Sequence, residues 1–365
     1  MKVTSIEELP KIKIGITHGD INGIGYEVII KSLMDIRINE LFIPVIYGSS
    51  KVLAYHRKAI DIENFSLNSI RVASEANAKR SNIINCVDEN IRVELGKSTE
   101  IAGQASLRAL EIAVEDLKNG EIDALVTAPI NKDNIQSPEF KFAGHTEYLV
   151  HKLGAKDALM LMVGEGIKVG VVTGHVALKD VPSAITTEKI ISKLNILNQS
   201  LIKDFNIGKP KIAVLGLNPH CGDNGLLGTE ENDIIIPALN KVRETGMIAL
   251  GPFSADGLFG SKEYSKFDAI LAMYHDQGLA PFKALTYGTG VNYTAGLPYV
   301  RTSPAHGTAY DLAGKNEASE ESFRRAMYLA TDIFRNRQQF KLLNSNPLPL
   351  SQEVINNANK SGSHI

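Results

Sequence analysis

The sequence is poor in cysteine and has no excess of positive charge. Its 365 residues include only two cysteines, and 39 Lys and Arg stand against 41 Asp and Glu, for a formal net charge of −2. Two cysteines make no disulfide framework, so we expect a reducing compartment. Without net positive charge the chain does not attract nucleic acid or an anionic membrane surface, and we expect neither as a partner.

Long apolar segments are also missing. No run approaches the roughly 20 residues that a membrane-spanning helix needs. The N-terminal stretch MKVTSIEELPK carries acids where a secretory signal peptide would have an apolar core. We therefore expect a cytoplasmic protein. With 44% hydrophobic and 22% charged residues the composition is that of an ordinary globular protein, and the length suggests about two domains.

Short apolar runs alternate along the chain with amphipathic segments. This alternation predicts buried strands separated by helices, which is typical of an α/β fold with a largely parallel sheet. Apolar spacing, capping residues and end charges predict helices over 103–120, 186–205 and 229–246. Strands are predicted over 11–19, 41–50, 122–130, 167–175, 211–220 and 267–275.

Three of the predicted strands end in histidine, at His175, His220 and His275. Ligands bind beyond the carboxyl ends of strands in open α/β sheets, and neutral imidazole is a common ligand of divalent metals. A loop is expected after each histidine; Gly278 and Pro281 predict one after the third. The long spacings between the histidines suit a catalytic site built from several elements. The alternative, that each histidine is a hydrogen-bonded loop residue, remains open here.

Other polar residues could complete such a site. Asp256 and Asp276 are candidate carboxylate ligands, and Asp223 is a third, although the Asn-Gly beside it indicates a turn first. Cys221 directly follows a candidate ligand, and because neighbours along a chain point apart, we expect it to be a structural thiol. Basic residues in glycine-containing loops suit carboxylate or phosphate, although each alone could be a solvated surface group.

The glycines of HGDINGIGYEVI (18–29) follow the first predicted strand. Their spacing, G-x-x-x-G-x-G, could belong to a dinucleotide loop of the short-chain dehydrogenase type. It differs from G-x-G-x-x-G, and the chain offers no suitable Tyr-x-x-x-Lys pair. A tight turn between strand and helix is the favoured interpretation.

Seven ordered segments carry a resemblance to a known family. They are TAPINK, GHTEYL, VVTGHVALKDVP, GLNPHCGDNGLLGTEE, GPFSADGLF, YHDQGLAPFK and RTSPAHGTAYDLAGK. Over about residues 11–340 the chain resembles the 4-hydroxythreonine-4-phosphate dehydrogenases of pyridoxal phosphate biosynthesis. HGTAYDLAGK is also similar to the cofactor loop of isocitrate and isopropylmalate dehydrogenases.

The resemblance implies a fold of the isocitrate/isopropylmalate dehydrogenase type, with two α/β domains around a cleft, in a homodimer. The first domain would comprise 1–140 and 284–345 on the cofactor side. The second would comprise 141–283 and hold the metal site and the dimer interface. A polar tail, 346–365, would follow and could be poorly ordered.

The resemblance also assigns roles to individual residues. His175, His220 and His275 match the family's metal ligands, in a site across the dimer interface, and Asp256 matches a carboxylate near the metal. The metal could be zinc, magnesium, manganese or cobalt. Substrate-binding positions are matched by His145, Thr146, Lys283, Asn292 and Arg301. The loop that would hold NAD, or alternatively NADP, includes His306, Gly307, Thr308, Asp311 and Gly314.

The implied reaction is oxidation of 4-phosphohydroxy-L-threonine, followed by decarboxylation to 3-amino-2-oxopropyl phosphate. A divalent metal would lower the pKa of the substrate hydroxyl, and Lys283 or Asp256, or a water that they hold, would take the proton. Related enzymes oxidise 4-phospho-D-threonate, 4-phospho-D-erythronate or an aromatic dihydrodiol, and these stay open as alternatives. Phosphate acetyltransferases have a similar fold but use neither metal nor nicotinamide, and the strand-end histidines argue against them.

One segment departs from the family. The family's first loop reads Gly-Asp-Pro-Ala-Gly-Ile-Gly-Pro-Glu, whereas this chain has GDINGIGYE. Ile21 and Tyr26 replace the two prolines, and Asn22 replaces the alanine. Because proline fixes the backbone, we expect a less rigid loop and a changed fit to the substrate.

Overall fold

The structure is a computed structural model that describes residues 11–346. Over this range one sheet of twelve strands carries helices on both faces. The strands are β1 (Lys13–Thr17), β2 (Ile43–Gly48), β3 (Asn68–Ile70), β4 (Asn82–Asn85), β5 (Ala124–Thr127), β6 (Leu159–Gly164), β7 (Ile167–Thr173), β8 (Lys211–Leu215), β9 (Ile248–Phe253), β10 (Ala269–Tyr274), β11 (Val291–Ala295) and β12 (Val300–Pro304).

The α-helices lie between the strands and after the last of them. They are α1 (Gly25–Leu33), α2 (Ile38–Leu41), α3 (Ser50–Ala59), α4 (Glu100–Lys118), α5 (His145–Lys152), α6 (Val181–Ala184), α7 (Thr187–Lys203), α8 (Ile236–Glu244), α9 (Ala255–Gly260), α10 (His275–Thr286) and α11 (Glu321–Leu343).

The strand order is β3-β4-β2-β1-β5-β12-β11-β6-β7-β10-β8-β9. The first six of these strands are parallel to one another, and so are the last four. Three antiparallel pairs in the middle, β12–β11, β11–β6 and β6–β7, join the two parallel sets. The predicted α/β fold with a largely parallel sheet is confirmed.

Central strands are buried on both faces. In β2, Ile46 belongs to one hydrophobic cluster, whereas Val45 and Tyr47 belong to a second cluster on the opposite face. All three side chains are fully buried. Helices therefore cover both sides of the sheet, which explains the near-continuous apolar runs of the sequence.

The segments predicted as strands and helices form them. The six predicted strands correspond to β1, β2, β5, β7, β8 and β10, and the three predicted helices to α4, α7 and α8. Threonine caps two of these helices: Thr99 Oγ1 accepts a hydrogen bond from the Ala102 amide, and Thr186 Oγ1 from the Lys189 amide. Such caps satisfy amide groups that have no partner within the helix.

The prediction of a loop after His275 is wrong, because His275 is the first residue of α10. Pro281 lies inside this helix. Gly278 permits close packing of the helix on the sheet, since a β-carbon there would lie 2.9 Å from Val169 Cγ1 and 3.0 Å from Ala272 Cβ. Burial of the helix against β7 and β10 outweighs the helix-breaking tendency of both residues.

The predicted domain boundaries correspond to a division within the sheet. β1 to β5 and β12 lie on one side, and β6 to β10 lie on the other, with β11 between them. The two-domain assignment stays a prediction. The predicted tail, 346–365, lies outside the described residues apart from its first residue.

Candidate active site

A cavity of about 300 Å³ opens over the middle of the sheet, where the antiparallel strands join its two halves. Side chains reach it from β5, β6, β11, β12, α5 and α10. All five residues predicted to bind substrate line this cavity, together with two of the three predicted metal ligands. The lining residues include Thr127, Lys132, His145, Thr146, Glu147, His175, His275, Lys283, Asn292, Arg301, His306 and Gly307.

Arg301 is the most deeply buried cation of this cavity, with 2% of its surface exposed. Its guanidinium donates hydrogen bonds to Thr294 Oγ1 at 3.1 Å and to Thr127 Oγ1 at 2.6 Å. Burial lowers the pKa of Arg301 to about 9, and nearby Glu147 acts in the opposite direction. The group therefore stays charged at neutral pH, fixed and only partly neutralised, which suits recognition of phosphate or carboxylate.

Several polar atoms around the cavity are buried and have no hydrogen-bond partner within residues 11–346. They are His145 Nε2, Asn292 Oδ1, Arg301 Nε and His306 Nε2. Burying a polar atom without a partner is costly, so such atoms are rare unless a ligand satisfies them. Four of them around one cavity indicate a binding site for a polar molecule.

The buried histidines here favour the neutral form. Burial, with Arg301 and Lys132 nearby, lowers the pKa of His145 well below its usual range. Burial also lowers the pKa of His306, whose Nδ1 lies 3.0 Å from the carbonyl oxygen of Gly307. If Nδ1 donates to that carbonyl, the Nε2 of His306 is left as a hydrogen-bond acceptor.

Two of the predicted metal ligands lie side by side. The ring centroids of His175 and His275 are 5.7 Å apart, because β7 and β10 are parallel neighbours and end at the same edge. The Asp276 carboxylate lies 2.7 Å from His275 Nδ1, which leaves Nε2 as the available ligand atom. A carboxylate behind a histidine is a common arrangement at metal sites.

A lysine contacts the first of these histidines. Lys132 Nζ lies 3.0 Å from His175 Nε2 and donates to it, so an ammonium stands beside an atom that would bind a metal cation. Burial, followed by the charge of Lys132, lowers the pKa of His175. A neutral imidazole whose Nε2 faces a cation has the protonation state that a metal ligand needs.

The remaining predicted site residues lie elsewhere. β8 ends at Leu215, and His220 follows in an exposed turn whose residues 220–224 all have left-handed backbone angles. Asp256 is exposed in α9 and does not line the cavity. Within the described range of one chain, no three His, Cys, Asp or Glu side chains come together in a way that could hold a metal ion.

The predicted cofactor loop begins at the cavity wall and leads away from it. His306 and Gly307 line the cavity. Farther along, Ala309 has a φ of 42° and Gly314 a φ of 76°, and Asp311 is exposed. A loop that combines an unpartnered buried ring nitrogen with tightly turned backbone fits one end of an extended cofactor. Its role stays a prediction.

The altered first loop, in contrast, does not line the cavity. Ile21, Asn22 and Tyr26 are fully buried, and the Tyr26 ring stacks on His18 with centroids 5.1 Å apart. These contacts argue against the expected loss of rigidity, since packing and hydrogen bonds replace the two prolines. They also place the departure from the family outside the substrate cavity.

Sequence reasoning gave no separate role to Thr127 or Glu147 and did not foresee the contact between Lys132 and His175. Thr127 and Lys132 belong to TAPINK and Glu147 to GHTEYL, two of the segments that carry the resemblance. Membership of these two segments was therefore the signal in the sequence that could have pointed to the three residues. Which of their side chains face the cavity depends on how β5 and α5 pack, and a single sequence does not show this.

Comparison with known proteins addresses the resemblance directly. A family model described as "Pyridoxal phosphate biosynthetic protein PdxA" matches residues 40–330. The chain belongs to the PdxA family. It is 56% identical over 340 residues to the 4-hydroxythreonine-4-phosphate dehydrogenase of Bacteroides thetaiotaomicron, with 93% of each chain covered. The crystal structure of the corresponding Klebsiella pneumoniae enzyme matches with a TM-score of 0.79 at 33% identity, covering 90% of this chain and 99% of that one.

The PdxA family resemblance predicted from the seven segments is thus confirmed. A further relative, from Oceanobacillus iheyensis, is named as a candidate D-threonate 4-phosphate dehydrogenase; it is 37% identical over 324 residues, with 88% of this chain and 97% of that protein covered. None of the helices within residues 11–346 is long and apolar enough to cross a membrane. The expected cytoplasmic location stays a prediction.

Proposed function

We propose that this PdxA-family oxidoreductase converts 4-phosphohydroxy-L-threonine to 3-amino-2-oxopropyl phosphate in pyridoxal phosphate biosynthesis. The observation that carries the proposal is the cavity at the centre of the sheet. It combines a buried guanidinium, an adjacent pair of histidines and four polar atoms that have no hydrogen-bond partner within residues 11–346. The similarity to enzymes named for this reaction supports the same conclusion.

The reaction balances with a nicotinamide cofactor, which a PdxA-family dehydrogenase uses. The C–H bond at the hydroxyl-bearing carbon breaks and hydride passes to NAD⁺, while the hydroxyl proton goes to a base. The product is a β-keto acid. Its carboxylate leaves as carbon dioxide and the α-carbon takes up one proton, so the net change is one NADH and one carbon dioxide for each substrate. The choice of NAD over NADP belongs to the proposal.

The cavity offers separate groups for the two ends of the substrate. Arg301 supplies positive charge for the phosphate or carboxylate, and Lys283 lines the same cavity. The Asn292 and His145 atoms that lack partners would accept or donate hydrogen bonds to the remaining polar groups. Because these groups are fixed before binding, little ordering would be needed when the substrate enters.

We assign the divalent metal to His175 and His275, the two imidazoles that meet at the cavity. When bound, such a metal polarises the substrate hydroxyl and lowers its pKa. Lys132 would leave His175 Nε2 and turn its ammonium toward the bound anion. Zinc, magnesium, manganese and cobalt all suit a site of this kind.

The third ligand, His220, would come from a second copy of the chain. In one chain it lies in an exposed turn away from the cavity, so a homodimer would be needed to complete the site. The position of Lys283 in the cavity favours this side chain over the exposed Asp256 as the residue that takes the hydroxyl proton, directly or through a water.

A second candidate reaction is oxidation of 4-phospho-D-threonate, which the name of the Oceanobacillus relative suggests. Its substrate also carries a phosphate, a hydroxyl and a carboxylate. It differs from 4-phosphohydroxy-L-threonine in carrying a hydroxyl where that substrate carries its amino group. None of the residues that line the cavity excludes either group.

The test compares kcat/KM for the two substrates, with NAD and with NADP, before and after treatment with a chelator. We expect the higher kcat/KM with 4-phosphohydroxy-L-threonine, and we expect the chelator to abolish turnover. A preference for 4-phospho-D-threonate would move the chain to the second reaction. Chelator-resistant turnover would contradict the metal assignment.

Replacing His275 tests whether metal binding can be lost while the fold is kept. His275→Ala should lose bound metal and turnover while its melting temperature stays near that of the unaltered protein, because His275 is half-buried at the start of α10. His151→Ala, at the exposed end of α5, is the matched control and should keep both. Full activity in His275→Ala would refute the assignment.

A further inference from the structure

The loop between β1 and α1, 18–24, lies outside the substrate cavity, yet its polar residues are among the most buried in the chain. Asp20 is 1% exposed and Asn22 is fully buried. The Asp20 carboxylate accepts hydrogen bonds from neutral donors, and no Lys or Arg pairs with it within residues 11–346. Buried polar groups are retained where their hydrogen bonds fix a specific geometry, so the partners of these two residues show what the loop holds in place.

Asn22 binds residues 94–97, which we call the strap. Its Oδ1 accepts from the Glu94 amide at 2.7 Å, and its Nδ2 donates to the Lys97 carbonyl at 2.9 Å and to Thr99 Oγ1 at 3.0 Å. Its backbone carbonyl accepts from the Gly96 amide at 2.9 Å. Alanine, the usual residue of the family at this position, would keep only the backbone bond.

The strap packs directly on the predicted cofactor loop. A β-carbon on Gly96 would lie 3.0 Å from the carbonyl oxygen of Tyr310. A β-carbon on Gly314 would lie 2.5 Å from Leu95 Cδ1. The two segments therefore touch at two points that leave no room for an added methyl group. A shift of the strap would displace the loop.

Asp20 holds the same loop at another point. Its Oδ2 accepts from the Tyr310 hydroxyl at 2.7 Å and from Asn134 Nδ2 at 2.8 Å, while its Oδ1 accepts from the Asn22 amide at 2.8 Å. The Ile24 amide donates to the Thr308 carbonyl at 3.0 Å. The strap thus packs against the Tyr310 carbonyl, while Asp20 accepts a hydrogen bond from the Tyr310 hydroxyl.

The held loop contains a strained residue. Ala309, with a φ of 42°, has a left-handed backbone that residues with a β-carbon rarely adopt. Such a conformation persists only where the surroundings fix it. Its neighbours on both sides, Thr308 and Tyr310, are the residues bound by the first loop.

We propose that Asp20 and Asn22 are positioning residues that preorganise the 306–314 loop for a nicotinamide dinucleotide. The inference rests on the proposed function, in which this loop holds the cofactor. In the family the prolines of the first loop fix its backbone. In this chain, which lacks them, the hydrogen bonds from Asn22 to the strap would hold the loop in place. Preorganisation lowers the ordering cost of binding, so its loss should appear in cofactor affinity.

The test is direct binding of NADH to the full-length protein, followed by the change in nicotinamide fluorescence. Asn22→Ala should weaken NADH binding about tenfold, while the affinity for 4-phosphohydroxy-L-threonine, measured by calorimetry without cofactor, changes less than twofold. Tyr310→Phe, which removes only the hydroxyl bound by Asp20, should also weaken NADH binding, and it serves as the test should Asn22→Ala fail to fold.

Asn82→Ala is the matched control. Asn82 is fully buried and its side chain makes five hydrogen bonds, but it lies in β4, near the sheet edge remote from the cavity. This variant should lose as much thermal stability as Asn22→Ala and keep its NADH affinity. Equal weakening in both variants would overturn the inference by showing a general effect of destabilisation.

Two further results are distinguishable. If the unaltered protein binds NADH and both Asn22→Ala and Tyr310→Phe bind it equally well, the inference fails and the proposed function stands. If the unaltered protein binds neither NADH nor NADPH, the proposed function fails and the inference falls with it.

Discussion

Arg301 illustrates how a single residue of the cavity is prepared for its ligand. Two threonine hydroxyls, from Thr127 and Thr294, orient its guanidinium, while its Nε remains without a partner in the part of the chain that is described. A buried cation is costly when it is unpaired, so the site gains most when an anion enters. Lys132 differs from Arg301 because its side chain is exposed, and its ammonium lies 3.0 Å from His175 Nε2.

Arg301→Lys should raise KM for the phosphorylated substrate at least tenfold, with a smaller change in kcat. Lysine keeps the charge but loses the planar fork that the two threonines hold. Steady-state kinetics with varied substrate and saturating NAD measure this. Arg325→Lys, on the more exposed surface of α11, should leave KM unchanged; an unchanged KM in Arg301→Lys itself would remove the guanidinium from substrate binding.

Lys132→Met should increase the affinity for zinc several-fold, because it removes a cation 3.0 Å from His175 Nε2. Competition with a chromophoric chelator measures the affinity without reference to activity. Lys79→Met, in an exposed turn before β4, provides the control for the loss of one positive charge. A weaker zinc affinity in Lys132→Met would mean that the ammonium supports the site and does not compete for it.

At the scale of the element, α10 carries His275 into the cavity. The helix begins at that histidine and lies on β7 and β10, with Gly278 at the closest approach. Its position therefore fixes the distance between His275 and His175. The helix contains both glycine and proline, so its formation depends on packing more than on intrinsic propensity.

Gly278→Ala should destabilise the protein by about 1–3 kcal/mol, the usual cost of overpacking a close contact. The added methyl group would press on Val169 and Ala272 and push α10 away from the sheet. Chemical denaturation measures the free energy of unfolding. Gly260→Ala, at the end of α9 with open space around its β-carbon position, should have little effect. Equal stability of the two variants would contradict this packing.

The elements also show what a sequence can and cannot predict. The six strands found in advance are continuous apolar runs, whereas the missed β3 and β4 are short and partly polar, and β12 contains Arg301. His220 was placed at a strand end, but β8 stops five residues earlier, and a left-handed turn follows. Such a turn depends on contacts with Glu231, whose carboxylate accepts from the Leu217 and Asn218 amides. The spacing of apolar residues along the sequence gives no information about these contacts.

At the scale of the whole molecule, the two parallel sets of strands meet at the cavity, and the predicted cofactor loop packs against the first loop beside it. The cavity residues come from segments between 127 and 307, so long-range packing alone brings them together. The resemblance of seven short segments had selected most of these residues in advance. Their mutual placement needed the structure.

Stability should fall as the pH drops from about 6.5 to 4. Burial lowers the pKa of both His18 and His56 from 6.5 to about 4, and both rings pack against Tyr26. Above pH 6.5 both the folded and the unfolded chain are neutral at these groups. Below it the unfolded chain binds protons first, and the loss continues until the folded histidines are protonated near pH 4.

Each tenfold difference in proton affinity corresponds to about 1.4 kcal/mol, so two such groups remove several kcal/mol over this range. Denaturant unfolding at a series of pH values measures the loss. His56→Gln, which can still donate to the Ile21 carbonyl, should make the dependence shallower. A free energy of unfolding that stays constant from pH 6.5 to 4 would show that these rings are not buried in their neutral form.

The central claim is that one cavity both oxidises and decarboxylates 4-phosphohydroxy-L-threonine. The most direct measurement is the ratio of carbon dioxide released to NADH formed, with purified protein, NAD and a divalent metal. We expect one carbon dioxide for each NADH, together with 3-amino-2-oxopropyl phosphate. NADH without carbon dioxide, or no NADH at all with this substrate, would contradict it.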